Sequence, residues 1–218
     1  SAASGLVRDK YNLASVEVSA FSALQASTYI ANIPQARITR AELNMDTGVV
    51  LLQFADVVRP TTFVPTKFAI QSQSGDDSNA IFLTGGTSSG SVGYSVSVQM
   101  TKNDIDNIKR YPILATGVSN TYVKTLQDAL LDYAGNSAVA TTIQISAFTA
   151  DTVQPTLVSF DFNMNAGTIV LSFSETINVE SFDVTQVVLQ DAATAGATFR
   201  LTSGTVSGSD IQSTPQHT

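Results

Sequence analysis

Cysteine and tryptophan are absent from the 218 residues, histidine occurs once, and positive charge is scarce, with 11 Lys and Arg against 18 Asp and Glu. Without cysteine there is no disulfide framework and no thiolate metal site. This does not fix the compartment, because a unit of ordinary domain size is stable without such staples. The lone histidine, His217, lies in a Ser/Thr/Pro/Gln tail, which removes the basis for a Ser–His–Asp relay or a histidine zinc site. A net charge of −7 and a pI near 4.5 leave no basic face to neutralise phosphates, so neither nucleic acid nor an anionic membrane is an expected partner. Membrane insertion is not expected either, since no run approaches the roughly 20 apolar residues of a spanning helix. The start, SAASGLVRDKYN, has neither a signal-peptide pattern nor a Met, and reads as processed or excised. No Asn-x-Ser/Thr sequon occurs, so surface glycans would have to be O-linked, on the Ser/Thr-rich faces. Gly85-Gly86 and Gly90 lack the Lys and following helix of a phosphate loop.

What is present is a repeat. Shifted by 119 positions, Leu24–Gln71 aligns without a gap on Ile143–Gln190, and 12 of the 48 pairs are identical, among them Asn44/Asn163, Met45/Met164, Gly48/Gly167, Phe54/Phe173, Phe63/Phe182 and Gln71/Gln190. After one deleted residue the match resumes, with LTGGT at Leu83–Thr87 against LTSGT at Leu201–Thr205. A fixed period held over this length is the mark of a tandem array. The composition, 43% apolar and 13% charged, is that of folded protein.

Along the chain, 1–35 read as the closing part of one repeat, 36–154 as a complete repeat and 155–218 as the front of another. In 1–35, Val16, Val18, Leu24, Ala26 and Thr28 alternate with polar residues as strands do. In the complete repeat Ala41, Leu43 and Met45, the turn Asp46-Thr47-Gly48, and then Val50, Leu52 and Phe54 predict a hairpin. Val92, Tyr94, Val96, Val98 and Met100 predict a strand with one buried face, and 85–90 a loop. Thr101 with Asp104 three residues on predicts a capped short helix ended by Pro112. Tyr122–Leu131 fits a strand and a helix face about equally. The next repeat opens with Val158, Phe160, Phe162 and Met164 on one face. Many short strands and one short helix per unit predict an all-β fold of β-sandwich repeats with a period of about 119 residues.

Phe173-Ser174-Glu175-Thr176-Ile177 with Ser181-Phe182, and in the complete repeat Asn120-Thr121-Tyr122 and Asp132-Tyr133-Ala134-Gly135-Asn136, resemble the tandem Ig-like repeats of bacterial S-layer and large adhesin-type surface proteins. Those repeats carry an F-S-E-x-V strand end and a D-x-A-G-N turn. The first copy departs from the pattern, with Phe54-Ala55-Asp56-Val57-Val58 at the strand end. The resemblance implies an Ig-like sandwich at an extracellular or cell-surface location, with a structural, spacer or adhesive role and no catalytic residue.

By the repeat alignment, 155–218 and 1–35 are complementary parts of one unit, short only of a segment equivalent to about 100–119. Each part alone would expose apolar strand faces and open edges. The expectation is a head-to-tail filament in which the tail of one subunit pairs with the head of the next. Three alternatives stay open: a stretch of a longer covalent array, closure of both parts within one chain, and ends cut short. Among groups that could carry chemistry, Asp104, Asp106, Asp132 and Asp151, with Asn103 and Asn107, are candidate oxygen ligands for calcium, although capping and turn formation account for them and the spacing is not that of an EF-hand. Glu42, Asp56, Glu175 and Glu180 are the carboxylates from which a glycosidase pair would be drawn, but Asp56 and Glu175 are equivalent positions in two copies. The sequence therefore reads as a non-enzymatic structural subunit of a filament or surface layer; the competing reading is an adhesin or glycan-binding module.

Overall fold

A computed structural model describes residues 3–30, 35–194 and 196–208. They belong to two compact units, Ser1–Ile33 and Pro34–Thr218. The described chain is mostly β-sheet with a single α-helix.

In the larger unit, β1 (Ile38–Asn44) and β2 (Val49–Val58) form the expected antiparallel hairpin. Its turn is set by two residues: the Asn44 side chain accepts from the Thr47 N–H, and Gly48 adopts φ 67°, where a Cβ is disfavoured. Alternation then puts Ala41, Leu43, Val50, Leu52 and Phe54 into the core. A bulge between Ile38 and Arg40 shifts the register at the open end. β3 (Phe68–Gln71) and β4 (Ala80–Phe82) make a second hairpin. With β5 (Thr87–Ser89), β6 (Gly93–Gln99), β7 (Tyr122–Thr125), β8 (Thr141–Gln144) and β9 (Ala147–Thr149) the strands complete two sheets, ordered β5-β6-β2-β1-β9 and β4-β3-β7-β8. One hydrophobic core takes side chains from both, including Leu43, Leu52, Val96 and Val98 from the first and Phe68, Ile70 and Val123 from the second. The arrangement is an open sandwich.

The short helix is where the Thr101 cap places it. α1 spans Lys102–Lys109, and the Thr101 hydroxyl accepts from the Asp104 N–H. Three expectations change. Val92 and Tyr94 stay exposed, because the β2–β6 ladder slips between Gln53 and Val58 and the start of β6 runs past the core. The 85–90 loop contains β5. Tyr122–Leu131 is strand only as far as Thr125; Asp128, at φ 62°, turns the chain away.

From 155 onward the same local structures recur. β10 (Leu157–Asn163) pairs with β11 (Thr168–Phe173) in the register of β1 and β2, every partner lying 119 positions on, with the bulge again at the open end, between Leu157 and Ser159. Asn163 accepts from the Ala166 N–H as Asn44 does from Thr47, and Gly167 has φ 64°. The 3-10 turns Val179–Ser181 and Val184–Gln186 match Pro60–Thr62 and Pro65–Lys67. β12 (Val188–Gln190) pairs with β13 (Thr198–Arg200) as β3 pairs with β4.

In the smaller unit the alternation around Val16–Thr28 makes no strand; the described residues there hold one 3-10 turn, Ala20–Ser22. Unlike β10 and β11, which pair with each other, this stretch is paired with no strand of the described residues. Residues 7–15 instead form a tight hairpin that matches 130–138 at a spacing of 123. The isolated bridges are Arg8 to Ala14 and Leu131 to Ser137. The Ser15 N–H donates to the Val7 carbonyl as Ala138 does to Leu130, and Asn12 to Asp9 as Gly135 to Asp132. The positive-φ residues also correspond, Gly5 with Asp128 and Asn12 with Gly135.

Candidate interaction site: an open half-unit

The face that is core on β1 and β2 is open on β10 and β11. Ala41, Leu43 and Met45 are 0%, 2% and 4% exposed, whereas Phe160, Phe162 and Met164, at the same places on β10, are 57%, 46% and 74% exposed. Val188 and Phe199, at the places of the buried Ala69 and Ile81, are exposed as well. What differs is the surroundings: the first hairpin lies between β6 and β9 within its sheet, while β10 and β11 form a two-stranded sheet by themselves.

At the open end of this hairpin lies a cleft of about 430 Å³, lined by Pro155, Phe173, Thr176, Ile177, Ser181, Phe182 and Asp183 among others. In the complete repeat the equivalent stretch, 57–64, is covered by 129–133. The Val64 N–H donates to the Ala129 carbonyl, Arg59 to Leu131 and Tyr133 to Val57, and the Leu131 N–H donates to the Thr62 hydroxyl. Arg59 further donates through Nε to the Asp132 carbonyl and through Nη2 to that of Tyr133.

A second feature ties α1 to the segments just before β10 and just after β11. Lys109, at the end of α1, places its ammonium 2.7 Å from Asp151 Oδ2 and 2.8 Å from Glu175 Oε2. Asp151 lies in the segment between the repeats and Glu175 just past β11. Thr176 Oγ1 donates to the Asp106 carbonyl beside them. Burial works against the Lys109 charge, but hydrogen bonds and charge from Asp151 and Glu175 outweigh it and raise the Lys109 pKa above its ordinary value. Burial likewise works against the Asp151 carboxylate and is outweighed, chiefly by its hydrogen bond with Lys109, so that its pKa is lowered.

The calcium candidates are spread out, each with a partner of its own. Asp104 accepts from the Thr84 N–H and hydroxyl, and Asp106 pairs with Lys102. Asp132 accepts from the Asn136 N–H and side-chain amide, and Asp151 holds Lys109. Asn103 and Asn107 sit on α1. Among the described residues no three His, Cys, Asp or Glu side chains come together as a metal group. Of the glycosidase candidates, Glu42 pairs with Arg40, Glu175 with Lys109, and Asp56 accepts from the Val57 N–H. Asn178 caps the turn holding Glu180 by accepting from its N–H. His217 lies outside the described residues. Sequence reading missed Lys109, whose two partners are remote from it, and the 7–15 hairpin, which falls outside the 119-residue register.

No protein-family model matches the sequence, and no curated protein matches it. Among solved structures, a crystal structure of the S-layer protein SbsC is 16% identical, with a TM-score of 0.36, over 77% of this chain and 22% of that one. The N-terminal part of the bacterial S-layer protein SbsC is 17% identical, with a TM-score of 0.35, over 82% of this chain and 42% of that one. The chain thus spans less than half the length of these structures. Among the described residues no helix is long and apolar enough to cross a membrane.

Proposed function

We propose that the chain is a non-enzymatic structural subunit of an extracellular or cell-surface array, built from tandem Ig-like repeats and assembled through completion of its open repeat by strands of another subunit. The observation that carries this reading is the pair of hairpins with one register and opposite exposure. A contiguous apolar face of this extent is rare on a free surface and marks an association site. The sandwich around β1 and β2 states what covers such a face: β6 and β9 beside it, and a second sheet across it. Residues 24–30, which align with 143–149, supply the sequence of β9 and the end of β8, and Leu24, Tyr29 and Ile30 are exposed. The work is passive. Buried strand faces hold each unit, edge pairing transmits load between subunits, and the Lys109 junction holds successive repeats together.

Light scattering across a concentration series, with negative-stain electron microscopy, tests this. The parent chain should grow in length with concentration. Phe162→Asp, which alters a residue already half exposed, should stop growth while leaving the melting temperature of the monomer nearly unchanged. A monodisperse monomer at every concentration would refute assembly, and a melting temperature raised by oligosaccharides would move the adhesin reading ahead.

A further inference from the structure

We infer that the hairpin of residues 7–15 of a second copy of this chain fills the cleft at the open end of β10 and β11; this deepens the structural-subunit reading and rests on it. The complete repeat supplies the template. The five residues on the covered side that bond to 129–139 are Val64, Arg59, Val57, Thr62 and Ala36, the last accepting from the Val139 N–H. Their equivalents 119 positions on are Asp183, Asn178, Thr176, Ser181 and Pro155, and all five line the cleft. The hairpin matches 128–139 bridge for bridge and turn for turn.

Transferring the pairing gives specific contacts. The Leu6 carbonyl accepts from the Asp183 N–H and the Arg8 carbonyl from the Asn178 N–H. The Lys10 N–H donates to the Thr176 carbonyl, and the Arg8 N–H donates to the Ser181 hydroxyl, which replaces that of Thr62. Val16 donates to the Pro155 carbonyl as Val139 does to Ala36. Leu6 and Val7, 72% and 64% exposed in this chain, take the places of Ala129 and Leu130, which are fully buried. They meet a lining of Phe173, Ile177 and Phe182. Charge agrees as well: Arg8 and Lys10 arrive where Leu131 and Tyr133 stand, on a side that carries Glu180 and Asp183.

The absence of cysteine makes a direct test clean. Lys10→Cys with Thr176→Cys puts thiols at places directly opposed in this pairing. Ile30→Cys with Asn163→Cys reports the separate strand completion, after the pairing of Asn44 with Thr149. Lys10→Cys with Ala192→Cys is the off-register control. Each full-length double variant is oxidised over a concentration series and run on non-reducing gels. The inference expects intermolecular ladders from the first pair, at least tenfold faster than from the control. Ladders from Ile30/Asn163 alone would overturn the hairpin placement and leave the structural reading standing; ladders from neither would overturn both. A Lys10/Thr176 disulfide closed within one chain would overturn the second copy as occupant. Arg8→Glu, introduced into the Lys10→Cys/Thr176→Cys background, should cut laddering several-fold, and unchanged laddering would overturn the charge argument.

Discussion

Replacing Lys109 by Met should loosen the hold of α1 on the segments before β10 and after β11 without unfolding the 36–154 sandwich. The ammonium is shared by Asp151 and Glu175, and the three side chains are 17%, 28% and 10% exposed. A hydrogen bond to a charged group contributes about 1.5–3 kcal/mol when buried, while an ion pair in water contributes about 0–1 kcal/mol. The Asp151 contact, the more exposed, belongs near the lower figure and the Glu175 contact nearer the higher one. Together they stabilise the docking by about 3 kcal/mol, a factor of about 100 in local opening. Met keeps most of the stem volume, so the α1 packing is largely preserved. Amide exchange at residues 174–178 is the assay, with limited proteolysis of the 150–156 connection as a second readout. A double-mutant cycle with Glu175→Gln should give a coupling of at least about 1 kcal/mol. Protection within threefold of the parent, or strict additivity, would refute the reasoning. The pH dependence has a defined sign. With its pKa lowered, Asp151 contributes stability that is fully present above its ordinary 3.8 and is lost as pH falls through the lowered value. With its pKa raised, Lys109 contributes stability that is fully present below its ordinary 10.5 and is lost as pH rises through the raised value.

Leu52→Ala and Leu171→Ala alter equivalent residues in different surroundings: the first, fully buried, should cost about 2–5 kcal/mol in denaturant unfolding, and the second, half-buried, under about half of that. Gly48→Ala and Gly167→Ala separate backbone from packing. Both sit near φ 65°, each at a cost of about 1–2 kcal/mol, but a Cβ at Gly48 would also lie 2.1 Å from Ile105 Cδ1, so only that variant should perturb the α1 amide signals in an NMR spectrum. Asp132→Ala removes a fully buried acceptor of two hydrogen bonds from Asn136 and should lower stability by about 2–3 kcal/mol, measured by thermal unfolding followed by circular dichroism.

Features governed by neighbours in sequence were legible. Thr101 and Asp104 give the helix start, Asn44 and Gly48 the turn, and the alternation on β1 and β2 their buried face, because each depends on residues within a few positions. Features set by distant partners were not. Nothing near Lys109 announces Asp151 or Glu175, and nothing in the Val92–Met100 alternation shows that the strand leaves the core at Tyr94. The hairpin at 7–15 was hidden for another reason. Four extra residues between it and Leu24 break the 119-residue register, and identity to 130–138 is confined to Asp9, with Asn12 standing where Gly135 does. Backbone geometry preserved a match that side chains had nearly lost: both an Asn and a Gly can occupy positive φ, and the Asp at the turn start accepts the same kind of bond.

The two hairpins argue that the stability of a repeat lies chiefly in what lies against it. β10 and β11 keep the register, turn and bulge of β1 and β2, yet a two-stranded sheet is marginal in water by itself. On the proposed assembly, then, each subunit has two kinds of joint. The one between 36–154 and 155–208 is covalent and clamped by Lys109, so its effective concentration is fixed whatever the dilution. The joint at the cleft is non-covalent and must be won back from dilution, against the translational and rotational entropy of association. Such an array behaves as a chain of nearest-neighbour couplings that fails at its weakest interface. Dilution should therefore cut the polymer at the cleft and leave subunits whose 36–154 sandwich is intact, and a disulfide placed across the cleft should abolish the concentration dependence while leaving the sandwich's own unfolding transition where it was.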